Sequence, residues 1–174
     1  MNRRTTFTLT TMTMLSLMIG LAPNNAVGQE KQHVSYKNST ENTEVHATNV
    51  DVGDVPNHLV RVFDVHRTHP NGTMINGVRL VEEFARGTTD VTDSNGTSVG
   101  YGVYVMENGD RFFARFTQVN KNSSGKISAA GVGPITGGTG KLADIHGVVQ
   151  FVVNFDVKSG FNEQQTDIDY SIGK

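Results

Sequence analysis

The chain has 174 residues and contains no cysteine. This absence excludes a disulfide framework, a thiolate zinc site and a cysteine nucleophile together. Proline is sparse, with 4 residues, and the formal net charge is only −2, with both signs spread along the chain. No basic run indicates a nucleic-acid surface. Without disulfides, stability must come from a packed core and from backbone pairing. The sequence also predicts no cofactor.

Glycine, by contrast, is abundant, with 19 residues. Together with frequent valine, threonine, phenylalanine and tyrosine, this composition is typical of strands joined by tight turns rather than of helices. The length fits one domain once a leader has been removed, and one domain of this size can form a hydrophobic core of its own.

The first 28 residues have the pattern of a signal peptide. Arg3 and Arg4 supply the positive start, a short apolar run follows at Met12–Ala22, and Ala26-Val27-Gly28 predicts cleavage before Gln29. The apolar run is roughly half of the ~20 residues that span a bilayer, so no stable membrane insertion is expected. The sequence therefore predicts a secreted or periplasmic protein.

The mature part divides into a polar lead-in and one domain. Residues 29–43 lack periodicity, and we expect them to be flexible. Strand-forming segments separated by turn signals follow across residues 44–174. The eight segments are Glu44–Val52, His58–His66, Gly77–Thr89, Ser98–Met106, Arg111–Val119, Lys126–Gly133, His146–Val157 and Thr166–Ile172.

The number of these segments favours one architecture. Eight antiparallel strands can close into a barrel whose interior holds side chains or one small ligand. Closure also removes the exposed edges that invite aggregation. Between the fourth and fifth segments, Asn108-Gly109 predicts a hairpin with a type I′ turn. The predicted fold class is all-β, a small closed antiparallel β-barrel of about eight strands.

The most distinctive stretch is Gly133–Gly147, with the sequence GPITGGTGKLADIHG. It resembles the Gly-Gly-Thr/Ser-Gly-x-Phe segment of the allene oxide cyclase and dirigent β-barrel families, with Leu142 at the usual Phe position. The hairpin of Gly100–Phe112 is similar to that of secreted bacterial members, and Asn49–Pro56 is similar to the first strand of the cyclases. As a phosphate loop, Gly137–Lys141 has the wrong glycine spacing and no following helix, so we interpret it as a turn.

The resemblance implies a barrel that encloses an apolar cavity. Allene oxide cyclases convert a bound epoxide to a cyclopentenone, and dirigent proteins orient phenoxy radicals, by positioning and electrostatic stabilisation. By this resemblance Asn49, Asp51 and Asp54 are the candidate catalytic residues, as acid–base or water-holding groups. Both families form trimers through outer strand faces, which implies a homo-oligomer, a dimer or a trimer.

Polar residues within otherwise apolar strands are the second set of candidates. One polar face per strand is ordinarily the solvated face, but some of these side chains could instead point into the lumen. The candidate ligand-binding residues are Arg61, Glu82, Tyr101, Tyr104 and Arg115.

A buried arginine would need an anionic partner, and Asp51, Asp54 or Glu82 could supply it. Glu82 and Glu83 point to opposite faces of a strand, so only one of them can face a cavity. This makes a two-carboxylate glycosidase site improbable.

Other chemistry finds little support. His66 and His69 lie three residues apart near a turn without an adjacent carboxylate, so no metal site is predicted. No serine stands in a Gly-x-Ser-x-Gly context.

Two hypotheses for the function remain. The first is an exported barrel that binds a small apolar or phenolic molecule in its lumen and isomerises or cyclises it. The second is a non-catalytic secreted accessory or oligomerising protein, since a fold does not fix a function.

Overall fold

The structure is a computed structural model that describes residues 30–156 and 158–173. The predicted signal peptide lies outside the described residues. The described ranges contain no α-helix, and thus no helix long and apolar enough to cross a bilayer. The strands are β1 Gln32–Asn38, β2 Thr43–Asp51, β3 His58–Thr68, β4 Met74–Ile75, β5 Val78–Thr92, β6 Asn95–Met106, β7 Arg111–Ser123, β8 Lys126–Gly138, β9 Ile145–Asp156 and β10 Asn162–Ile172.

All strands belong to one antiparallel arrangement. The order of the main sheet is β1-β10-β9-β8-β7-β6-β5-β3-β2, and β4 pairs with β5. The sheet curls on itself. This is evident from the Tyr36 side chain on β1, which reaches Glu83 on β5 across the interior. The prediction of an all-β antiparallel fold is confirmed.

The two ends of the sheet meet without a ladder. Within the described ranges, no backbone pairing joins β1 to β2, and the chain itself crosses the gap through residues 39–42. Thr40 ties this crossing to β10, because its hydroxyl donates to the Asn162 carbonyl at 3.0 Å and accepts from the Asn162 N–H at 2.8 Å. The barrel therefore differs from the predicted closed form by this one seam.

The prediction of a flexible lead-in is wrong for most of its length, because β1 lies within it. Gln32–Asn38 pairs along its length with β10, from Gln32 opposite Tyr170 to Asn38 opposite Gln164. The partly buried Val34 and Tyr36 pack against the core. Only these two apolar residues alternate with polar ones, and so short a pattern gave no periodicity to detect.

The turns also differ from expectation in one place. Asp93 and Ser94, between β5 and β6, have φ angles of 51° and 62°, as a type I′ turn requires. In the Asn108-Gly109 hairpin only Gly109 has a positive φ, of 85°, and the loop closes through the hydrogen bond from the Met106 N–H to the Asp110 carbonyl. The predicted type I′ turn at this hairpin is wrong, because the loop has three residues and ends in a left-handed glycine.

An irregularity in β5 decides which carboxylate points inward. The register between β5 and β6 shifts between Leu80 and Glu82. Leu80 and Glu83 are consequently both buried, although strict alternation would put residues three apart on opposite faces. Glu82 lies on the outer face.

The interior has a packed half and a hollow half. The packed half lies near β4 and the β6–β7 turn, and its fully buried members include Ile75, Leu80, Met106, Phe112, Leu142 and Ile168. The hollow half lies toward the β5–β6 and β9–β10 turns, where the inward side chains surround a cavity.

Candidate functional site

The hollow half contains a partly open cavity of about 450 Å³. This volume falls within the roughly 300–1,000 Å³ of typical small-molecule sites. Its walls are mainly aromatic and aliphatic and include Phe63, Val65, Ala85, Phe116, Phe151 and Val153.

Each of three inward phenylalanine rings beside the cavity lies over a glycine on a neighbouring strand. The pairs are Phe63 with Gly87, Phe116 with Gly100 and Phe151 with Gly131. A Cβ at Gly131 would lie 2.2 Å from Cζ of Phe151, so the ring occupies the space that any other residue would need. The rings thus lie against the wall and leave the lumen open.

A buried ion pair forms the floor of the cavity. Arg67 on β3 and Glu83 on β5 are cross-strand neighbours, only 4% and 3% exposed, and Arg67 Nη1 lies 3.1 Å from Glu83 Oε1. Gln164 on β10 donates from Nε2 to the same Glu83 oxygen at 3.0 Å and to Thr166 Oγ1 at 2.8 Å. Arg67, Glu83 and Gln164 all line the cavity, so this polar group borders it.

The second Glu83 oxygen faces a tyrosine and a histidine. The Tyr36 hydroxyl donates to Oε2 at 3.0 Å. Burial and then the nearby Glu83 charge raise the pKa of Tyr36 well above its ordinary value, so the hydroxyl keeps its proton. His69 Nε2 lies 3.7 Å from the same oxygen, and the ring packs edge-on against Tyr36 at 5.1 Å.

Burial lowers the pKa of His69 despite the opposing effect of Glu83, so this imidazole is neutral near pH 7. We call Tyr36, Arg67, His69, Glu83 and Gln164 the floor cluster. Such a group of buried, mutually bonded polar side chains can fix the orientation of a molecule and stabilise charge that develops on it.

Two of the predicted ligand-binding residues lie at the cavity. Tyr104 is buried, lines the lumen and stacks on Phe112 with ring centres 4.2 Å apart, at the boundary with the packed half. Burial raises its pKa well above the ordinary value. Arg61 also lines the cavity and donates from Nε to Asn49 Oδ1 at 2.7 Å.

The candidate catalytic residues do not converge on the cavity. Asn49 contacts it only through its hydrogen bond with Arg61. Asp51 accepts a hydrogen bond from the Gly53 N–H at 3.0 Å. Asp54 binds His58 Nδ1, and this hydrogen bond lowers the pKa of the aspartate. The side chains of Asp51 and Asp54 thus organise the exposed loop between β2 and β3.

Three further candidates lie on the outer face. Glu82 contacts His66 Nε2 at 3.2 Å. Tyr101 is 61% exposed, and the Arg115 guanidinium lies 6.0 Å from the centre of its ring. Since none of the three lines the cavity, the structure does not bring them together with Arg61 and Tyr104.

The anionic partner of the buried arginine also differs from the prediction. The partners expected from the sequence were Asp51, Asp54 and Glu82, whereas the structure pairs Arg67 with Glu83. The reason is the register shift in β5, which turns Glu83 inward. Among the described residues no three His, Cys, Asp or Glu side chains form a group that could hold a metal ion.

Fold and site together define a small all-β protein with a barrel-like sheet, a hollow half and a buried ion pair at the floor of its lumen. No family model matches the chain, and no curated protein matches it. Among solved structures, the pterocarpan synthase dirigent protein GePTS1 is similar to this chain, with a TM-score of 0.47 and 14% sequence identity. The similarity covers 94% of this chain and 98% of that chain.

Proposed function

We propose that this protein binds a small, largely apolar molecule in its lumen, with one polar group of the ligand against the floor cluster. The observation that carries the proposal is a cavity of about 450 Å³ with aromatic and aliphatic walls and buried polar side chains at one end. This combination is typical of small-molecule sites. Apolar and phenolic ligands fit the aromatic walls and agree with the sequence resemblance to allene oxide cyclases and dirigent proteins.

An isomerase or cyclase activity is the catalytic form of this proposal. Positioning of the ligand against the phenylalanine rings restricts its conformations, which favours ring closure. The Glu83 carboxylate and the Arg67 guanidinium stabilise charge that develops beside them. The Tyr36 hydroxyl donates to Glu83 and thereby holds this carboxylate in place beside the lumen.

Export from the cytoplasm is part of the proposal and rests on the leader pattern of residues 1–28. N-terminal sequencing of protein recovered from the medium or periplasm tests it. We expect the mature chain to begin at Gln29. A chain that keeps its leader and stays in the cytoplasm would remove this part of the proposal.

A binding experiment with a fluorescent naphthalene ketone, 6-propionyl-2-(dimethylamino)naphthalene, tests the lumen directly. The emission of this probe shifts to the blue in apolar surroundings. Gly131→Val displaces the Phe151 ring into the cavity, whereas Ala130→Val adds the same kind of bulk to the exposed face of the same strand. We expect the wild type and Ala130→Val to bind the probe with a blue shift and Gly131→Val to lose binding.

Equal binding by Gly131→Val, or no binding by the wild type, would contradict the proposal. Circular dichroism establishes that each variant folds. Should Gly131→Val not fold, Ala85→Leu adds bulk to the cavity from another strand, β5, and makes the same test.

One observation favours the accessory or oligomerising alternative. β2 pairs only with β3, and every residue from Glu44 to Asp51 is exposed. In the described ranges the other edge of β2 has no ladder partner, and such edges pair readily with another strand. If this alternative holds, light scattering should find that the wild type is a dimer and that Thr48→Lys is a monomer. The control variant Thr117→Lys, which changes the exposed face of a central strand, should remain a dimer. A monomeric wild type would remove it.

A further inference from the structure

Arg61 brings a positive charge to the cavity without an anionic partner. It lies on the inward face of β3, beside the cavity-lining Phe63, and is half-buried. Within the described ranges the guanidinium makes one hydrogen bond, from Nε to the neutral Asn49. The arginine ion pairs of these ranges involve three other residues, Arg67, Arg79 and Arg86. Because an arginine does not lose its proton in proteins, the charge of Arg61 stays uncompensated.

The two terminal nitrogens of Arg61, Nη1 and Nη2, are available to a ligand. Neither makes a hydrogen bond within the described ranges, and neither belongs to the buried polar atoms there that lack a partner. Both nitrogens are therefore accessible. With Nε bound to Asn49, the remaining edge of the guanidinium presents two parallel N–H groups, and these match the two oxygens of a carboxylate.

Arg61 and the floor cluster lie at opposite ends of the cavity. Arg61 precedes Arg67 by six residues on the same face of β3, which corresponds to roughly 20 Å along an extended strand. Phe63 and Val65 lie between them on this face and line the cavity. A ligand that binds Arg61 through an anionic group can thus place an apolar body against these two side chains.

The other charges that line the cavity already have partners. Arg67 and Glu83 pair with each other. Asp156 also lines the cavity, but its carboxylate accepts a hydrogen bond from the Lys158 N–H at 2.8 Å. Asp156 also lies opposite Lys126 in the ladder of β8 and β9. Of the charged side chains of the cavity, Arg61 is therefore the one that a ligand can neutralise.

The polar neighbours of Arg61 do not compete for its terminal nitrogens. Thr89, opposite Arg61 on β5, shares a hydrogen bond of 2.9 Å with Ser98. Asp51 lies near the end of β2, where it accepts from the Gly53 N–H, and it does not line the cavity. An anionic ligand group at Arg61 would consequently compensate its charge without displacing a bound carboxylate.

We infer that the lumen binds an aromatic carboxylic acid, with the carboxylate on Nη1 and Nη2 of Arg61 and the aromatic body against the phenylalanine rings. The carboxylate brings one negative charge to a site with one uncompensated positive charge. Aromatic rings pack favourably on Phe63, the next inward residue of β3. A phosphate monoester would bring up to about two negative charges, of which one would have no partner. This inference rests on the proposed function, since it specifies the ligand class of the same cavity.

Two matched compounds test this inference, 6-(dimethylamino)naphthalene-2-carboxylic acid and its methyl ester. The ester has the shape of the naphthalene ketone named above, with an oxygen in place of one methylene group, so it measures the fit of the aromatic body alone. Charge-assisted hydrogen bonds are about twice as strong as neutral ones. By calorimetry at neutral pH we expect the acid to bind about tenfold more tightly than the ester. Added salt should weaken binding of the acid only.

A pair of arginine variants locates the effect. Arg61→Gln removes the charge but keeps a polar side chain beside Asn49, so we expect about tenfold weaker binding of the acid and unchanged binding of the ester. Arg115→Gln is the matched control, because it removes the same charge from an exposed arginine on the outer face. Both compounds should bind this control as they bind the wild type.

The outcomes separate the inference from the proposed function. If the wild type binds the ester as tightly as the acid, the inference is refuted and the lumen site stands. Equal weakening of the acid by Arg61→Gln and Arg115→Gln would also refute it, since the net charge alone would then be responsible. If the wild type binds neither the ester nor the naphthalene ketone, the proposed function fails and the inference fails with it. Should Arg61→Gln not fold, Arg61→Met keeps the apolar stem of the side chain and makes the same comparison.

Discussion

The packed and hollow halves of the interior are built largely from the same strands. In the packed half, large side chains such as Phe112, Leu80 and Met106 fill the lumen and are at most 1% exposed. In the hollow half, inward phenylalanines such as Phe151 face glycines across the ladder. Phe112 also pairs with a glycine, Gly138, but its ring stacks on Tyr104, whereas the Phe151 ring lies over Gly131. The two halves therefore differ in how their aromatic rings lie and not in their content of apolar residues.

The floor cluster lies where the two halves meet. The register shift in β5 turns Glu83 inward directly after the packed Leu80, and Tyr104 stacks on Phe112 at the same level. A buried ion pair contributes little to stability over an apolar core, and its position at the cavity floor agrees with the proposed binding of a ligand there.

The largest expected difference comes from truncating one phenylalanine in each half. Phe112→Ala removes a fully buried ring from the packed half and should lower the free energy of unfolding by about 4 kcal/mol. Phe151→Ala enlarges an existing cavity and should cost roughly half as much or less, because its ring already lacks neighbours on one side. Urea unfolding measures both. Equal losses would show that the two halves are packed alike.

A slightly smaller effect is expected at the boundary. Glu83→Leu leaves the Arg67 charge buried without its partner and should cost about 3 kcal/mol. The double variant Glu83→Leu, Arg67→Met should recover most of this loss, since both charges are then absent. A double variant as unstable as the single one would argue against the ion pair as the dominant interaction of the floor.

The pH dependence of stability gives the third test. Burial lowers the folded-state pKa of His69 below about 6.5, so the unfolded chain binds a proton there first. The stability of the wild type should therefore fall as the pH drops below about 6.5, down to the folded-state pKa. His69→Gln should reduce this acid sensitivity in urea unfolding followed across that range. An unchanged profile would contradict a neutral, buried His69.

His58 should show the opposite sign. Its two ring nitrogens contact Asp90 and Asp54, and these hydrogen bonds raise its pKa. The stabilisation is complete below the ordinary pKa of about 6.5 and is lost as the pH rises through the raised value. The melting temperatures of His58→Gln and the wild type should thus become more similar as the pH rises. A difference that grows instead with pH would refute this sign.

The smallest effects are expected on the outer face. Glu82→Gln, Tyr101→Ala and Arg115→Ala should each change the free energy of unfolding by at most about 0.5 kcal/mol. They should leave binding of the naphthalene ketone unchanged, because none of the three residues lines the cavity. A clear loss of binding in any of them would place the ligand on the outer surface and not in the lumen.

The sequence predicted the strands well where alternation was long. The segment His146–Val157, for example, corresponds to β9 at Ile145–Asp156. The sequence could not predict which side chains of β5 point inward. One irregular step between Leu80 and Glu82 exchanges the inward and outward positions in the rest of the strand. Glu83 was therefore not recognised as the partner of a buried arginine.

The same limit explains the other members of the floor cluster. Tyr36 lies on β1, whose pattern is too short to distinguish from a polar lead-in, and Gln164 precedes the segment predicted for β10. Both reach Glu83 only because the sheet curls, a contact between residues far apart in the chain. Tyr104 and Arg61, by contrast, were recognisable as polar residues within apolar strands.

Methyl NMR during titration with the naphthalene ketone tests the central claim, that one half of the interior is a binding cavity. We expect shifts for the methyl groups of Val65 and Val153 on the cavity wall, with little change at Leu80 and Ile168 in the packed half. Shifts confined to Val132 and other valines of the outer face, or no shifts at all, would contradict it.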